Sequence, residues 1–230
     1  MKIGIIGAME EEVTILSKEL RGKKEWSEAG AVFYSGTIGE HDVVLTQSGI
    51  GKTLAAVTTT LLISHYNVDC VINTGSAGGI GQGLAIGDLV ISDKLAYFDA
   101  DVTAFGYEYG QMPQMPLYYE ADKALVASAM AASTKSSLNG KVGLIVSGDT
   151  FVSSQDKIDD IKAHFPEVLA NEMEGAAIAQ VAYRYDTPFV VIRAMSDVGD
   201  DAASVNFDEF IVQAGENSAR MVLALLNNLK

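Results

Sequence analysis

The chain has 230 residues, 48% of them hydrophobic and only four of them proline, which is enough to bury a sizeable core as one domain. Thirty acidic against sixteen basic residues give a net charge of −14, which repels phosphate backbones and anionic surfaces and argues against nucleic acid or a membrane as partner. One cysteine, Cys70, excludes an intramolecular disulfide, and the three histidines, His41, His65 and His164, lack metal-ligand spacing, so no metal is expected.

The sequence opens directly into KIGIIG, with no basic leader followed by a long apolar segment, and no run of about 18 apolar residues occurs. The expectation is a soluble, cytoplasmic protein. Along the chain, nearly continuous apolar runs recur as KIGIIG, DVVLTQSGIG, CVINTGSAGG, GDLVIS, KVGLIVSGD and PFVVIRAMSD. Such runs suit strands buried on both faces. Helical stretches separate them at roughly 9–20, 52–65, 121–132, 154–163, 174–185 and 208–228. The alternation predicts an α/β fold, a three-layer sandwich around a twisted, mixed and mostly parallel central sheet, with antiparallel strands near 31–48. Residues 1–230 form the single expected domain. In such sheets ligands sit beyond the carboxyl ends of the strands.

The first helix begins in GAMEEEV. Acidic residues suit a helix start because they face the positive end of its dipole. On a helical wheel, however, Glu11 points away from the stripe of Met9, Val13, Leu16 and Leu20, and Glu10 lies on a flank. Glu12 lies at the edge of that stripe and leans inward, which singles it out among the three.

TQSGIGKT, residues 46–53, resembles a phosphate-binding loop but has Thr46 where the pattern requires glycine, and neither glycine cluster completes a dinucleotide fingerprint. Residues 98–119 lack periodicity yet are dense in aromatics, which favours a subunit contact that completes a neighbour's pocket over a flap on the same chain. In NEMEGAAIAQVAYRY, Glu174 sits near the centre of an apolar helical stripe and is either an ion-pair partner or a ligand contact, whereas Glu172 points elsewhere if the helix has already begun. In TPFVVIRAMSD, Arg193 and Asp197 share a strand face, as a structural pair or as site residues at the carboxyl edge. Three carboxylates and one arginine suit glycosyl-bond cleavage, in which one acid protonates the leaving group and another activates water.

Taken in order, IGIIGAMEEEV, QSGIGK, INTGSAGG, DADVTAFGYEYGQ, GLIVSGD, EMEGAAIAQ, SDVGD and FDEF closely resemble the bacterial 5′-methylthioadenosine/S-adenosylhomocysteine nucleosidase family of the nucleoside phosphorylase superfamily. The resemblance covers nearly the whole chain. It implies cofactor-free hydrolysis of the adenine–ribose bond of 5′-thioadenosines, with 5′-deoxyadenosine a further expected substrate, in a homodimer serving methionine salvage. Under it, Glu12 resembles the base that holds the attacking water, with Ser76 and Arg193 as positioning groups. Asp197, oriented by Ser196, resembles the acid for the purine. Glu174 with Met173 resembles the ribose clamp. Phe151 and Val152 are implied on the base side, Gly78 as a further substrate contact, and Met9, Ile50 and Phe207 around the alkylthio group. Phe105 and Pro113 are implied to reach in from the other subunit.

The sequence departs from the family pattern at Phe98, Asn171 and Gly199. Two other readings share the scaffold or the pocket: a phosphate-dependent phosphorylase and a non-catalytic adenosine-binding module. The first is disfavoured because only Arg21 occurs among the first 183 residues and Asn73-Thr74 precede GSAGG, where phosphorylases of the superfamily resemble one another in carrying an arginine. The second does not account for three placed carboxylates.

Overall fold

A computed structural model describes residues 1–198 and 203–229; Gly199 lies outside them. The strands are β1 (Lys2–Gly7), β2 (Arg21–Glu28), β3 (Ala31–Ile38), β4 (His41–Gln47), β5 (Cys70–Gly79), β6 (Leu89–Tyr97), β7 (Tyr119–Glu120), β8 (Gly140–Ser147), β9 (Val168–Glu172) and β10 (Phe189–Asp197). The helices are α1 (Glu10–Glu19), α2 (Lys52–Thr60), α3 (Lys123–Lys135), α4 (Gln155–His164), α5 (Gly175–Arg184) and α6 (Ala203–Leu226), and α2 runs on into a π-helical turn at Leu61–His65.

The central strands are apolar because they are covered on both faces. β1 lies between β4 and β5, parallel to both, and β5 is buried along its whole length. Parallel pairing continues from β5 to β10, from β6 to β8 and from β8 to β9. Antiparallel pairing joins β2 to β3 and β3 to β4, as expected near 31–48, and also β10 to β6, β9 to β5 and β7 to β6. Because β10 contacts both β5 and β6, and β9 joins β8 to β5, five strands close on themselves. β1, β4, β3 and β2 extend outward from β5.

Helices cover both faces of this mixed sheet. On one, α1, α3 and α6 enclose Val13, Leu16, Leu125 and Val222 against Ile5, Ile72 and Ile192. On the other, α2, the π-helical turn that follows it and α5 bring Ala55, Leu62 and Ile178 against Phe33, Val71 and Val191. A third cluster places Ile158 and Ile161 of α4 with Phe98, Phe165 and Val146. Cys70 belongs to the packed core, where burial pushes its thiol pKa up to about 12. Among the described residues, no helix is long and apolar enough to cross a membrane.

Besides the two-residue β7, two strands fall outside the expected runs. β2, RGKKEWSE, is a largely exposed edge strand with no apolar alternation, anchored where Trp26 stacks on Phe33 and donates to the Tyr66 hydroxyl. β9 has five residues and ends at Glu172, so Glu172 is not helical and does not point away. It turns into the interior. The last helix begins at Ala203 rather than at 208, and Glu174 is the N-cap of α5 rather than a residue within it.

The aromatic segment after β6 has a fixed stem and a projecting tip. Phe98 is buried, Tyr109 donates to its carbonyl at 2.8 Å, and the Tyr109 ring stacks on His164 at 3.7 Å. Phe105, at the end of a short 3₁₀ turn, is 81% exposed.

Candidate active site

A cavity of about 410 Å³ opens at the carboxyl ends of β1, β5, β8, β9 and β10, within the range of small-molecule sites. Thirteen of the sequence-derived candidates line it: Met9, Glu12, Ile50, Ser76, Gly78, Phe151, Val152, Met173, Glu174, Arg193, Ser196, Asp197 and Phe207. Phe105 and Pro113 do not line it and are exposed on this chain.

Glu12 reaches the cavity as the third residue of α1. Glu10 and Glu11 are exposed, whereas Glu12 is buried. Its Oε2 accepts from the amides of Ala8 at 2.7 Å and Met9 at 3.1 Å, closing a capping box with the helix start. Its Oε1 accepts from the Ser76 amide at 3.0 Å and the Ser76 hydroxyl at 3.1 Å. The helix-start role and the site role are therefore one geometry, with four donors fixing the carboxylate at the end of β5.

That approach requires Gly75. A Cβ there would lie 2.5 Å from Nη1 of Arg193 and 2.7 Å from Oε1 of Glu12. Gly75→Ala should displace both groups, lowering kcat/KM by about 10²-fold and stability by about 1–3 kcal/mol. Steady-state kinetics alongside a urea titration check both; an unchanged kcat/KM would contradict the close fit.

Arg193 is fully buried on β10 and holds the acidic groups together. Its Nη2 donates to Oδ1 of Asn73 at 2.7 Å, to Oε2 of Glu174 at 3.3 Å and to Oε2 of Glu172, while Nη1 donates to the Ser76 carbonyl at 3.3 Å. Its ion pairs are thus with the two glutamates and not with Asp197 on the same strand. Burial is the largest influence on the guanidinium and opposes its charge, but Glu172, Glu174 and Glu12 outweigh it and hold its pKa above the ordinary arginine value.

Glu172 is the functional group missing from the sequence candidates, which set it aside only on the condition that the helix has begun there. Besides Arg193, its carboxylate accepts from the Ser147 hydroxyl and from the amides of Glu174 at 3.0 Å and Gly175 at 2.8 Å, anchoring the start of α5. The signal available was the two-residue spacing of Glu172 and Glu174 before Gly175, which is strand-like rather than helical. Glu174 accepts from the Gly51 amide at 2.9 Å. Burial first, and then the nearby Glu172 and Glu12 charges, raise its pKa to about 7 against the opposing pull of Arg193 and the Gly51 amide.

On the opposite side, Asp197 is buried at the end of β10, and its Oδ2 accepts from the Ser196 hydroxyl at 2.9 Å. Its Oδ1 lies 3.0 Å from where a Cβ on Gly78 would stand, so glycine admits the carboxylate there. Asn171 donates to the Gly78 carbonyl at 3.1 Å and also lines the cavity. Phe98, by contrast, packs against Gly148 in the third cluster, outside the cavity. Apolar cover comes from Phe151 and Phe207, whose rings meet edge-on at 5.6 Å, and from Met9, Ile50 and Val152. Among the described residues, no group of three His, Cys, Asp or Glu side chains is arranged to hold a metal ion. The arrangement offers a flat apolar slot with an acid at one side and, deeper, carboxylates organised by one arginine.

A family model described as the phosphorylase superfamily matches residues 2–227. A 5′-methylthioadenosine/S-adenosylhomocysteine nucleosidase from Haemophilus influenzae is 52% identical over 229 residues, covering 100% of both chains. The enzyme of that name from Staphylococcus epidermidis is 50% identical over 227 residues, covering 99% of this chain and all of its own. Among solved structures, the S. pneumoniae nucleosidase of the same name, with the transition-state inhibitor MT-ImmA, superimposes with a TM-score of 0.97 at 53% identity, covering 100% of both chains.

Proposed function

Because the chain belongs to the phosphorylase superfamily and to its 5′-methylthioadenosine/S-adenosylhomocysteine nucleosidase family, we propose that it hydrolyses the N-glycosidic bond of those two nucleosides, and of 5′-deoxyadenosine, releasing adenine. The observation that carries hydrolysis is the charge of the cavity. Among the described residues, its lining holds five carboxylates, Glu12, Glu172, Glu174, Asp197 and Asp208, against one cation, Arg193, which is already paired with two of them. The net negative charge there repels a phosphate dianion but not neutral water. Asn73, preceding GSAGG, binds Arg193 rather than offering a cation.

In this reading Asp197 delivers a proton to purine nitrogen seven, which makes adenine a leaving group. As the bond from anomeric carbon to nitrogen nine breaks, positive charge builds on the ribose, and the Glu174 carboxylate at the sugar hydroxyls favours it. Water held by Glu12 and Ser76 adds to the anomeric carbon and gives its proton to Glu12. Phe151 stacks on the base, while the backbones of Val152 and Gly78 and the side chain of Asn171 surround its edge. Met9, Ile50 and Phe207 enclose the 5′-alkylthio group. The chain acts in the cytoplasm as a homodimer, and the exposed Phe105 and Pro113 segment completes the neighbour's pocket.

The products test the reaction class. With 5′-methylthioadenosine in phosphate-free buffer, mass spectrometry should find adenine and free 5-methylthioribose; a ribose phosphate formed only after phosphate is added would make the protein a phosphorylase, and tight binding without adenine release would make it a binding module.

Glu174 sets a pH dependence. A clamp on ribose hydroxyls requires the carboxylate, so kcat/KM should climb as pH rises through about 7. For the fold the sign is opposite. With a pKa raised from 4.5 to about 7 on folding, Glu174 contributes stability that is fully present below 4.5 and lost as pH rises through 7. Urea midpoints of wild type and Glu174→Gln, compared at pH 5 and pH 8, should show the wild type losing ground to the variant at the higher pH; parallel midpoints would contradict the assignment.

A further inference from the structure

Three loops at the mouth of the cavity are tied by charged groups that do not line it. Lys52 opens α2, Asp99 follows β6 and Asp149 follows β8. The Lys52 ammonium donates to both oxygens of Asp99, at 2.8 and 2.7 Å, and lies 3.8 Å from Asp149. The Asp149 amide donates to Oδ2 of Asp99 at 2.9 Å, and the Lys52 amide donates to Oδ1 of Asp149 at 2.8 Å. The lysine of the phosphate-loop-like GIGKT is therefore committed to two carboxylates.

The consequence lies one residue back. Gly51, with φ of 100°, sends its amide to Oε1 of Glu174 at 2.9 Å, while the adjacent Lys52 amide sends its own to Asp149. Successive amides at the start of α2 thus point at two acids, one in the cavity and one in the clasp. Asp149 also precedes Thr150, Phe151 and Val152, which line the cavity on the base side. A lone exposed ion pair contributes little, but here the paired groups fix the direction of backbone donors, and misdirection of those donors is felt at the reacting centre.

We propose that Lys52, Asp99 and Asp149 form a positioning clasp that aims the Gly51 amide at Glu174 and holds the Phe151 loop over the base, an inference that rests on the hydrolase reading above. Glu174 is faced by Arg193 from β10, Glu172 from β9 and Glu12 from α1. The Gly51 amide is the donor that joins Glu174 to the clasp, because the next amide in the chain, that of Lys52, is held by Asp149.

The test uses Asp149→Ala, Lys52→Met and the conservative Asp149→Asn, which keeps an acceptor for the Lys52 amide. In Asp149→Ala and Lys52→Met, kcat/KM for 5′-methylthioadenosine should fall roughly tenfold to a hundredfold, with KM raised. The acid limb of its pH profile should move up by roughly one pH unit, the effect of losing one hydrogen bond to the charged form. Asp149→Asn should recover most of the loss. Carbon-13 NMR titration of the Glu174 carboxyl should show the same upward movement in Asp149→Ala whether or not any nucleoside is cleaved, which separates failure of the clasp from failure of the hydrolase reading. Variants that melt lower but keep the wild-type KM, pH profile and Glu174 titration would reduce the clasp to a structural tie and overturn the proposal.

Discussion

Glu12→Gln, purified and folded, should release adenine about 10²–10⁴-fold more slowly than wild type, the range that a positioned acid or base contributes. The substitution is nearly isosteric but chemically pointed. Both Glu12 oxygens accept two donors each, from Ala8 and Met9 and from the Ser76 amide and hydroxyl. A carboxamide offers one acceptor oxygen, so its NH₂ group faces donors on one side, with a further cost of about 1–3 kcal/mol. Stability and turnover are therefore measured together, and kcat is compared per folded molecule from a denaturant titration. Turnover within tenfold of wild type would remove Glu12 from the reaction and leave it a helix-capping residue.

Arg193→Leu should destabilise the fold by about 3–5 kcal/mol, because it leaves the buried charges of Glu172 and Glu174 without their cation. The same change deprives Asn73 of its partner at 2.7 Å. Equilibrium urea unfolding near pH 8, where Glu174 with its pKa of about 7 is largely ionised, reads the effect at its largest. At pH 5 the loss should shrink as Glu174 takes up a proton. A variant within 1 kcal/mol of wild type at pH 8 would mean that the two glutamates are not held by the guanidinium.

The sequence made some of these groups legible and concealed others for physical reasons. Glu12 stood out because a helical wheel sorts consecutive carboxylates by face, and the sorting held: two exposed, one buried. The apolar strands were readable because both of their faces are covered, and the antiparallel meander near 31–48 because its run breaks at turns. β2 was not readable, since an edge strand solvated on most positions has no apolar period to detect. β9, with five residues, is too short for periodicity, so whether Glu172 belongs to strand or helix, and with it the side it faces, stays open in the sequence. A helical stripe singles out Glu174 in the sequence, whereas in the structure it enters the cavity as an N-cap tied to Gly51. The dense pairing of Arg193 with Glu172, Glu174 and Asn73 joins positions 21, 19 and 120 residues apart, and strand alternation within β10 could offer only Asp197 as its partner.

Hydrolysis with Asp197 as the acid is tested most directly by adenine release from 5′-methylthioadenosine in phosphate-free buffer by wild type and Asp197→Asn side by side, with nucleoside affinity determined for both. Wild type should release adenine promptly, the variant about 10²–10⁴-fold more slowly, with nucleoside affinity retained. Release that requires phosphate, or that proceeds undiminished without the Asp197 carboxyl, would contradict that reading.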